Sequence, residues 1–197
     1  LDERIIEALN IWTKKPDLSG WQRIVKRVKE PAGVTTIAIV GKYVDLTESY
    51  KSLAEALTHG GIGNNCRVQL QYVDSESLDR HGVGSPFDDV DGILVPGGFG
   101  ERGIDGMILT ANYARTHNIP YLGICLGLHI AVIEFARNVL GLPLAHSTEF
   151  DRESPDPVIA LITEWTTKEG ETEVRTEQSD LGGTMRLGAQ RCRLSEG

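Results

Sequence analysis

The sequence predicts an α/β fold in which a mostly parallel, twisted sheet is covered by helices on both faces, giving three layers. Two observations support this prediction. Short apolar runs alternate along the chain with amphipathic segments of helical length, and the first run, Thr36–Gly41, is apolar at nearly every position. Such unbroken runs are typical of strands buried on both faces of a parallel sheet. Right-handed crossovers between parallel strands would then place helices on both faces.

Composition limits the class of protein. The chain has 197 residues, of which 40% are hydrophobic and 24% charged, as in ordinary globular domains. We expect no membrane span, because no apolar run reaches the length of about 18 residues that a bilayer requires. The net charge of −8 argues against a nucleic-acid partner. The three cysteines lack metal-ligand spacing, which predicts no metal site and a reduced, cytoplasmic setting.

Residues 1–33 form a predicted helical appendage. Ile5, Leu9 and Trp12 share one helical face, and a second apolar pattern begins at Trp21 after a break at Pro16. The chain starts at Leu1 rather than at a methionine and stops without a terminus signal. We therefore expect sequence to be missing at both ends, with residues 34–197 forming one main domain.

The main domain alternates strands and helices in order. Its predicted elements are a strand over 36–41, a helix over 49–59 stopped by Gly60–Gly61, a strand over 67–73, a polar loop over 74–88, a strand over 92–96, a helix over 104–117, a strand over 119–124 and a helix over 127–139. Beyond residue 145 the pattern changes to a strand over 157–162, a hairpin turn over 168–171 and a strand or loop over 182–187.

The stretch Gly123-Ile124-Cys125-Leu126-Gly127 joins an apolar strand to a helical pattern. A reactive residue flanked by glycines in a strand-to-helix turn has the layout of a nucleophile elbow. The unpaired N–H groups and the dipole of the helix N-terminus favour a thiolate there. Cys125 is thus a candidate nucleophile, the alternative being a buried, inert cysteine.

A second glycine-rich loop follows the strand before the elbow. Gly98, Gly100 and Gly103 match the G-x-G-x-x-G spacing of dinucleotide-binding turns. That motif also requires an acidic residue after the next strand, where this chain has Cys125. A second interpretation is an oxyanion hole formed by the N–H groups of Gly98 and Leu126, and a third is a tight turn without a ligand.

The sequences of these two loops resemble those of the class I glutamine amidotransferase family. Within that family, the chain is most similar to the C-terminal half of the CTP synthases. The resemblance covers the whole chain and is carried by the motifs at 40–43, 50–57, 95–103, 121–127, 147–150 and 180–188. It implies a flavodoxin-like fold. It also implies that residues 1–33 are a linker to a missing N-terminal synthase domain, and that residues 34–197 are a glutaminase domain incomplete at its C-terminus.

The resemblance also implies roles for individual residues. Cys125 would attack L-glutamine and form a glutamyl thioester, Gly98 and Leu126 would bind the oxyanion, and Glu149 would pair with the substrate ammonium. The segment Leu126, Gly127, Leu128 and His129 would complete the substrate site. The fragment itself would need no cofactor. The ammonia would aminate UTP in the synthase domain with ATP and Mg²⁺, with GTP as allosteric activator, in a homo-oligomer (dimer or tetramer). Arg102 is a candidate for the GTP-effector region.

Two departures from the family pattern stand out. The family usually has Gln at the position of His129, and imidazole cannot offer the paired donor and acceptor of an amide. The family also takes its general base from a His-Pro-Glu motif, which this sequence lacks. We therefore expect the catalytic His and Glu beyond Gly197. The open alternatives are a non-catalytic module of the same fold and another cysteine-elbow hydrolase, such as a γ-glutamyl hydrolase.

Overall fold

The structure, a computed structural model, describes residues 2–12, 17–44, 47–81, 83, 85–160, 164–166 and 172–174. It comprises two compact units, Leu1–Ile159 and Ala160–Gly197.

The first unit is built on a four-stranded sheet in which every pair is parallel, as predicted. Its strands are β1 (Gly33–Gly41), β2 (Cys66–Asp74), β3 (Gly92–Val95) and β4 (Tyr121–Gly123), in the order β2-β1-β3-β4. The chain leaves β1 in one direction to form β2 and then returns past β1 to form β3. This reversal creates a crevice at the carboxyl ends of β1 and β3, where ligands bind in such sheets.

The described residues contain six α-helices: α1 (Asp2–Ala8), α2 (Ser19–Lys29), α3 (Lys51–Gly63), α4 (Ser75–His81), α5 (Ile104–Thr116) and α6 (Leu126–Asn138). Helix α4 packs on α5, and α5 packs on α6. Their apolar side chains bury Val40, Val73 and Val95 of the sheet in one core cluster. Ile39 and Leu94 alternate with these residues and are buried on the opposite face, the side to which a right-handed crossover carries α3. The α/β fold with helices on both faces is confirmed.

Two predicted boundaries were wrong. Helix α3 does not stop at Gly60–Gly61 but continues to Gly63. A Cβ built on Gly61 would lie 2.7 Å from Cγ2 of Val68 and 2.8 Å from the carbonyl oxygen of Cys66. Gly61 therefore allows the helix to lie directly on β2, and this packing outweighs the low helix propensity of glycine.

The predicted polar loop over 74–88 was also wrong, because it contains α4 and a 3₁₀ turn at Ser85–Phe87. Two buried apolar side chains hold this segment on the core, Leu78 and Phe87. Over 74–88 the sequence shows only isolated apolar residues, Leu78, Val83 and Phe87, among polar ones, too few to reveal a helical period.

After α6 the chain forms a short parallel pair, β5 (His146–Ser147) with β6 (Pro157–Ile159). The second unit contains an antiparallel pair, β7 (Glu164–Thr166) with β8 (Thr172–Val174). The predicted turn over 168–171 and the predicted strand over 182–187 lie outside the described residues.

Candidate active site

Cys125 occupies the turn between β4 and α6 in a strained conformation. Its φ of 53° and ψ of −107° lie in a region that residues with a side chain rarely adopt, and it forms the N-cap of α6. The residue is exposed. Strained backbone of this kind clusters at functional sites, and it turns the thiol out of the sheet edge as a nucleophile elbow requires.

The two flanking glycines are required by close packing. A Cβ on Gly123 would overlap the backbone of Gly127, and a Cβ on Gly127 would overlap the carbonyl oxygen of Val95. The first turn of α6 therefore rests directly on β3 and β4. This close approach fixes the position of Cys125 relative to the strand ends.

Tyr121 holds the same turn from the strand side. Its hydroxyl donates a hydrogen bond to the carbonyl oxygen of Gly127 at 2.8 Å. Burial, and then the negative charge of Glu134, raise the pKa of Tyr121 above its ordinary value. The phenol therefore stays protonated and keeps this bond across the physiological range.

The glycine-rich loop after β3 lies beside the elbow. A Cβ built on Gly97 would lie 3.5 Å from Cβ of Cys125, and one built on Gly98 would lie 3.4 Å from Cδ2 of Leu126. The glycine-rich loop and the elbow therefore face each other. Leu126 is the first residue of α6, where a backbone N–H has no acceptor within the helix.

Helix-start hydrogen bonds occupy the neighbouring amides. The N–H of Gly127 donates to the carbonyl of Ile124 at 3.0 Å, and that of Leu128 donates to the carbonyl of Cys125 at 3.0 Å. Gly97 and Gly98 thus lie beside Cys125 and Leu126, and the roles of the Gly98 and Leu126 amides as oxyanion donors stay predictions.

Polar side chains brace the glycine-rich loop from the ends of β1 and β2. The Lys42 ammonium, on a side chain only 7% exposed, donates to the carbonyl oxygens of Phe99, at 3.2 Å, and Gly100. Arg102 pairs with Glu76 (Nε–Oε1 3.0 Å) and donates to the carbonyl oxygen of Lys42 (3.4 Å). Arg102 also lies over the ring of Tyr43, 5.7 Å from its centroid.

The predicted substrate residues lie on α6 and in the segment after it. Leu128 is exposed, His129 is half-buried with an Nδ1 atom that has no partner among the described residues, and Gly127 is buried. Glu149 is exposed in the turn after β5, where its N–H donates to Oγ of Ser147 at 3.2 Å. Their roles toward a substrate stay predictions.

His146 is the first residue of β5, the strand that precedes the turn carrying Glu149. Burial, and then the positive charge of Arg137, lower its pKa below the ordinary value. The carboxylates of Asp151, Asp105 and Glu101 act in the opposite direction. Asp105 and Glu101 belong to the start of α5 and the loop before it, so the turn after β5 lies within electrostatic reach of the glycine-rich loop.

Glu134 forms the polar link between α5 and α6 on the inner side of the elbow helix. The carboxylate, on a side chain 3% exposed, accepts bonds from Arg115 at 2.8–3.0 Å, from Asn112 at 2.9 Å and from Asn138 at 3.1 Å. Burial raises its pKa, but these hydrogen bonds and the Arg115 charge outweigh burial and lower it.

The sequence did not reveal Lys42, Tyr121 or Glu134 as parts of this arrangement. Lys42 directly follows an apolar strand, at the carboxyl end where ligands bind in such sheets. That position is the one feature of the sequence that could have indicated its place in the site. The contact partners of Tyr121 and Glu134 follow from tertiary packing and have no local motif.

No cluster of three His, Cys, Asp or Glu side chains able to hold a metal ion occurs among the described residues. Across the part of the chain that the structure describes, no helix has the length and apolar character that crossing a membrane requires.

Known proteins match this chain at the level of a family, of whole sequences and of a solved structure. The family model for class I glutamine amidotransferases matches residues 45–197. The CTP synthases of Geobacter sulfurreducens and Trichlorobacter lovleyi are each 57% identical over 198 residues, which cover 100% of this chain and 35% of each relative. The chain thus spans about a third of the length of these curated relatives.

A solved structure of the Trypanosoma brucei CTPS glutaminase domain with bound acivicin is similar in fold. The match has a TM-score of 0.57 and 42% identity, and it covers 64% of this chain and 50% of that chain.

Proposed function

The chain belongs to the class I glutamine amidotransferase family, and from this we propose that it is the glutaminase part of a CTP synthase. In this proposal the domain hydrolyses L-glutamine and supplies ammonia for the ATP-dependent amination of UTP to CTP, a step of pyrimidine nucleotide synthesis. The observation that carries the proposal is the strained, exposed Cys125 beside Gly97 and Gly98.

The chemistry follows from the placement of the thiol. The Cys125 thiolate attacks the side-chain amide carbon of L-glutamine, and the carbonyl oxygen becomes an oxyanion between the N–H groups of Gly98 and Leu126. The C–N bond then breaks, the nitrogen takes up a proton and leaves as ammonia, and a glutamyl thioester remains. Water hydrolyses the thioester to glutamate and restores the thiol. We expect the base that moves these protons to be a His–Glu pair beyond Gly197.

Substrate recognition falls to residues near the elbow in this proposal. Glu149 is exposed in the turn after β5 and supplies a carboxylate for the substrate ammonium. Leu128 and His129 lie in the first turn of α6, and their N–H groups donate to the carbonyl of Cys125 at 3.0 and 3.2 Å. His129 contributes an imidazole whose buried Nδ1 has no hydrogen-bond partner among the described residues.

ATP and Mg²⁺ belong, in this proposal, to the synthase domain outside the sequence. The described residues contain no cluster of three His, Cys, Asp or Glu side chains able to hold a metal ion. The relatives are about three times as long as this chain, which leaves room for that domain. We assign the complete enzyme to the cytoplasm as a homo-oligomer.

GTP activation, where the complete enzyme has it, is assigned to the region of Arg102. The guanidinium is half-exposed and tied to Glu76 and to the carbonyl of Lys42, beside the glycine-rich loop. A triphosphate that draws Arg102 away would alter this loop. Arg102→Ala in the full-length enzyme is expected to lose GTP stimulation, measured as the ratio of the stimulated to the unstimulated rate of glutamine hydrolysis; an undiminished ratio would remove the assignment.

The test of the proposed function labels the full-length protein with a diazoketone analogue of L-glutamine. One adduct, mapped by peptide mass spectrometry to Cys125 and prevented by excess L-glutamine, is the expected result. Cys125→Ser is expected to take no label and to lower glutamine hydrolysis at least about 10³-fold. Cys66→Ser is the matched control, since Cys66 lies in β2 at the opposite edge of the sheet from β4.

Other outcomes decide between the remaining candidates. Labelling of Cys125 together with a preference for γ-glutamyl peptides over free L-glutamine would indicate a γ-glutamyl hydrolase-like enzyme. A full-length protein that takes no label at Cys125 and hydrolyses neither substrate would indicate a non-catalytic module.

A further inference from the structure

Lys42 has a position that none of the predicted roles uses. It follows β1 directly, at the crevice between the carboxyl ends of β1 and β3. Its side chain is 7% exposed, although it ends in an ammonium group. A buried ammonium is tolerated only where acceptors replace the water that it has lost.

Two of those acceptors belong to the glycine-rich loop. The Lys42 ammonium donates to the carbonyl oxygens of Phe99 and Gly100. Charge-assisted bonds of this kind are about twice as strong as bonds between neutral groups. They fix the orientation of two successive peptide groups in a loop whose glycine at position 100 has a φ of +77°.

The stem of the same side chain contacts the loop one step closer to the thiol. A Cβ built on Gly98 would lie 3.9 Å from Cδ and Cε of Lys42 and 3.4 Å from Cδ2 of Leu126. Gly98 therefore lies close to both the Lys42 stem and the first residue of the elbow helix. The loop cannot shift without breaking the ammonium contacts or losing this packing.

A second cation braces Lys42 itself. Arg102 donates to the carbonyl oxygen of Lys42 at 3.4 Å while its Nε pairs with Glu76, the second residue after β2, at 3.0 Å. The ends of β1 and β2 are thereby tied to the loop after β3. The brace has its centre at Lys42.

We propose that Lys42 is a positioning residue for glutamine hydrolysis: its ammonium, bound to the carbonyls of Phe99 and Gly100, holds the loop so that the Gly98 amide faces the oxyanion formed at Cys125. This inference rests on the proposed function. Because an oxyanion exists in the transition state and not in bound glutamine, the contribution of Lys42 falls on kcat rather than on KM.

The test compares Lys42→Met with wild type in the full-length protein. Methionine has a stem of similar length and no charge, so it keeps the packing on Gly98 and removes the clamp. We expect kcat for glutamine hydrolysis to fall about 100-fold, the loss typical of one oxyanion-hole donor, with KM changed less than about three-fold. Lys42→Arg retains a cation, and its kcat is expected to be at least about ten-fold higher than that of Lys42→Met.

Two further readouts separate positioning from a general loss of structure. Alkylation of Cys125 by iodoacetamide needs no oxyanion hole and is expected to proceed at the wild-type rate in Lys42→Met. Hydrogen exchange of the peptide containing residues 97–100 is expected to be faster than in wild type. Arg67→Met, which removes a cation at an exposed position at the start of β2, is the matched control and is expected to change neither kcat nor exchange.

Each outcome supports or overturns the inference. A Lys42→Met enzyme that keeps wild-type kcat overturns it, as does a loss of kcat accompanied by an equal loss of iodoacetamide reactivity. If the methionine variant fails to fold, Lys42→Gln replaces it, and a fall in kcat of less than about ten-fold counts against the clamp. A wild-type protein that hydrolyses no glutamine defeats the proposed function, whereas an active wild type with an unaffected variant defeats only this inference.

Discussion

Cys125 holds a backbone conformation that costs about 1–3 kcal/mol for a residue with a side chain. The surrounding contacts make up for this cost. The first turn of α6 rests on the carbonyl of Val95, the Tyr121 hydroxyl binds the carbonyl of Gly127, and the backbone of Gly123 passes directly against Gly127. The strain at the thiol is thus maintained by three contacts among four neighbouring residues, none of which is the nucleophile.

Gly127→Ala tests this dependence at the scale of one residue. Its added methyl group would overlap the carbonyl oxygen of Val95, so α6 must move away from the sheet. We expect the free energy of unfolding to fall by about 1–3 kcal/mol, the usual cost of overpacking, and Cys125 labelling by the glutamine analogue to slow. Urea unfolding followed by circular dichroism gives the first quantity, and intact-mass kinetics give the second.

Gly60→Ala is the control for that substitution. Gly60 also lies in a helix, α3, but a Cβ there would meet nothing within 4 Å. The alanine is expected to stabilise the protein by about 0.4–1 kcal/mol. Equal stability changes at the two positions would contradict the packing explanation.

Site residues whose role depends on neighbours in sequence could be predicted from the sequence. Site residues whose contacts lie far away in sequence could not. Gly123, Cys125 and Gly127 fall in one turn, so their spacing alone indicated the elbow. Lys42 contacts Phe99 and Gly100, 57 and 58 positions away, and nothing within either segment predicts that contact.

Among the elements, α5 and α6 are joined by a buried carboxylate. Glu134 of α6 receives bonds from Arg115 and Asn112 of α5 and from Asn138 one turn further along α6. The elbow helix is therefore fixed to its neighbour at its far end, as well as to the strands at its near end. Breaking this link should loosen α6 without touching the thiol.

Glu134→Gln is expected to lower the free energy of unfolding by about 1–3 kcal/mol at neutral pH, since it removes a buried charge that three donors bind. The folded-state pKa of Glu134 is lowered below its ordinary value, 4.5. Its contribution is therefore fully present above pH 4.5 and is lost as pH falls through the lower folded-state pKa. The stability difference between wild type and Glu134→Gln should accordingly shrink as pH falls below 4.5.

Urea titrations at several pH values measure this difference. Glu55→Gln, an exposed position on α3, is the control and is expected to leave the free energy of unfolding nearly unchanged at every pH. A Glu134→Gln difference that stays constant from neutral to acid pH would show that packing, rather than the carboxylate charge, joins the two helices.

Element types with a clear period could be predicted, and elements held by single tertiary contacts could not. All four sheet strands and the helices α5 and α6 lie within a few residues of their predicted bounds. Helix α4 has one buried apolar anchor, Leu78, in a polar segment, so no period marked it. Strand β5 has two residues and exists through its pairing with β6.

At the scale of the whole molecule, the chain is the smaller part of what its relatives contain. It spans 35% of the length of each of the two CTP synthases. Some of its surface is as apolar as an interior: α2 has no buried residue, and Trp21, Ile24, Val25 and Val28 are 42–68% exposed. Exposed apolar faces of this size on one helix mark contact surfaces.

The strand order of the sheet explains why the position of the site could be predicted from the sequence, whereas its general base could not. Parallel strands joined by helices bring every strand-end loop to one edge, so the loops after β3 and β4 had to meet. We expect the general base to lie beyond Gly197, and motif spacing within residues 1–197 cannot predict residues outside them. The same holds for whatever covers α2.

We expect the apolar face of α2 to be covered, in the full-length protein, by polypeptide outside residues 1–197. An amphipathic helix gains most of its stability by burying its apolar face, and this helix is tied to α3 mainly by polar contacts, with Arg27 donating to the carbonyls of Ile62 and Gly63 at 3.1 and 2.9 Å. Hydroxyl-radical footprinting of the full-length protein measures the oxidation rate of Trp21, natively and in urea. If the face is covered, the native rate should be about a tenth or less of the unfolded rate, as for buried side chains. If α2 stays free, the 68% exposure of Trp21 predicts a native rate above half of the unfolded one, and that result would contradict the expected cover.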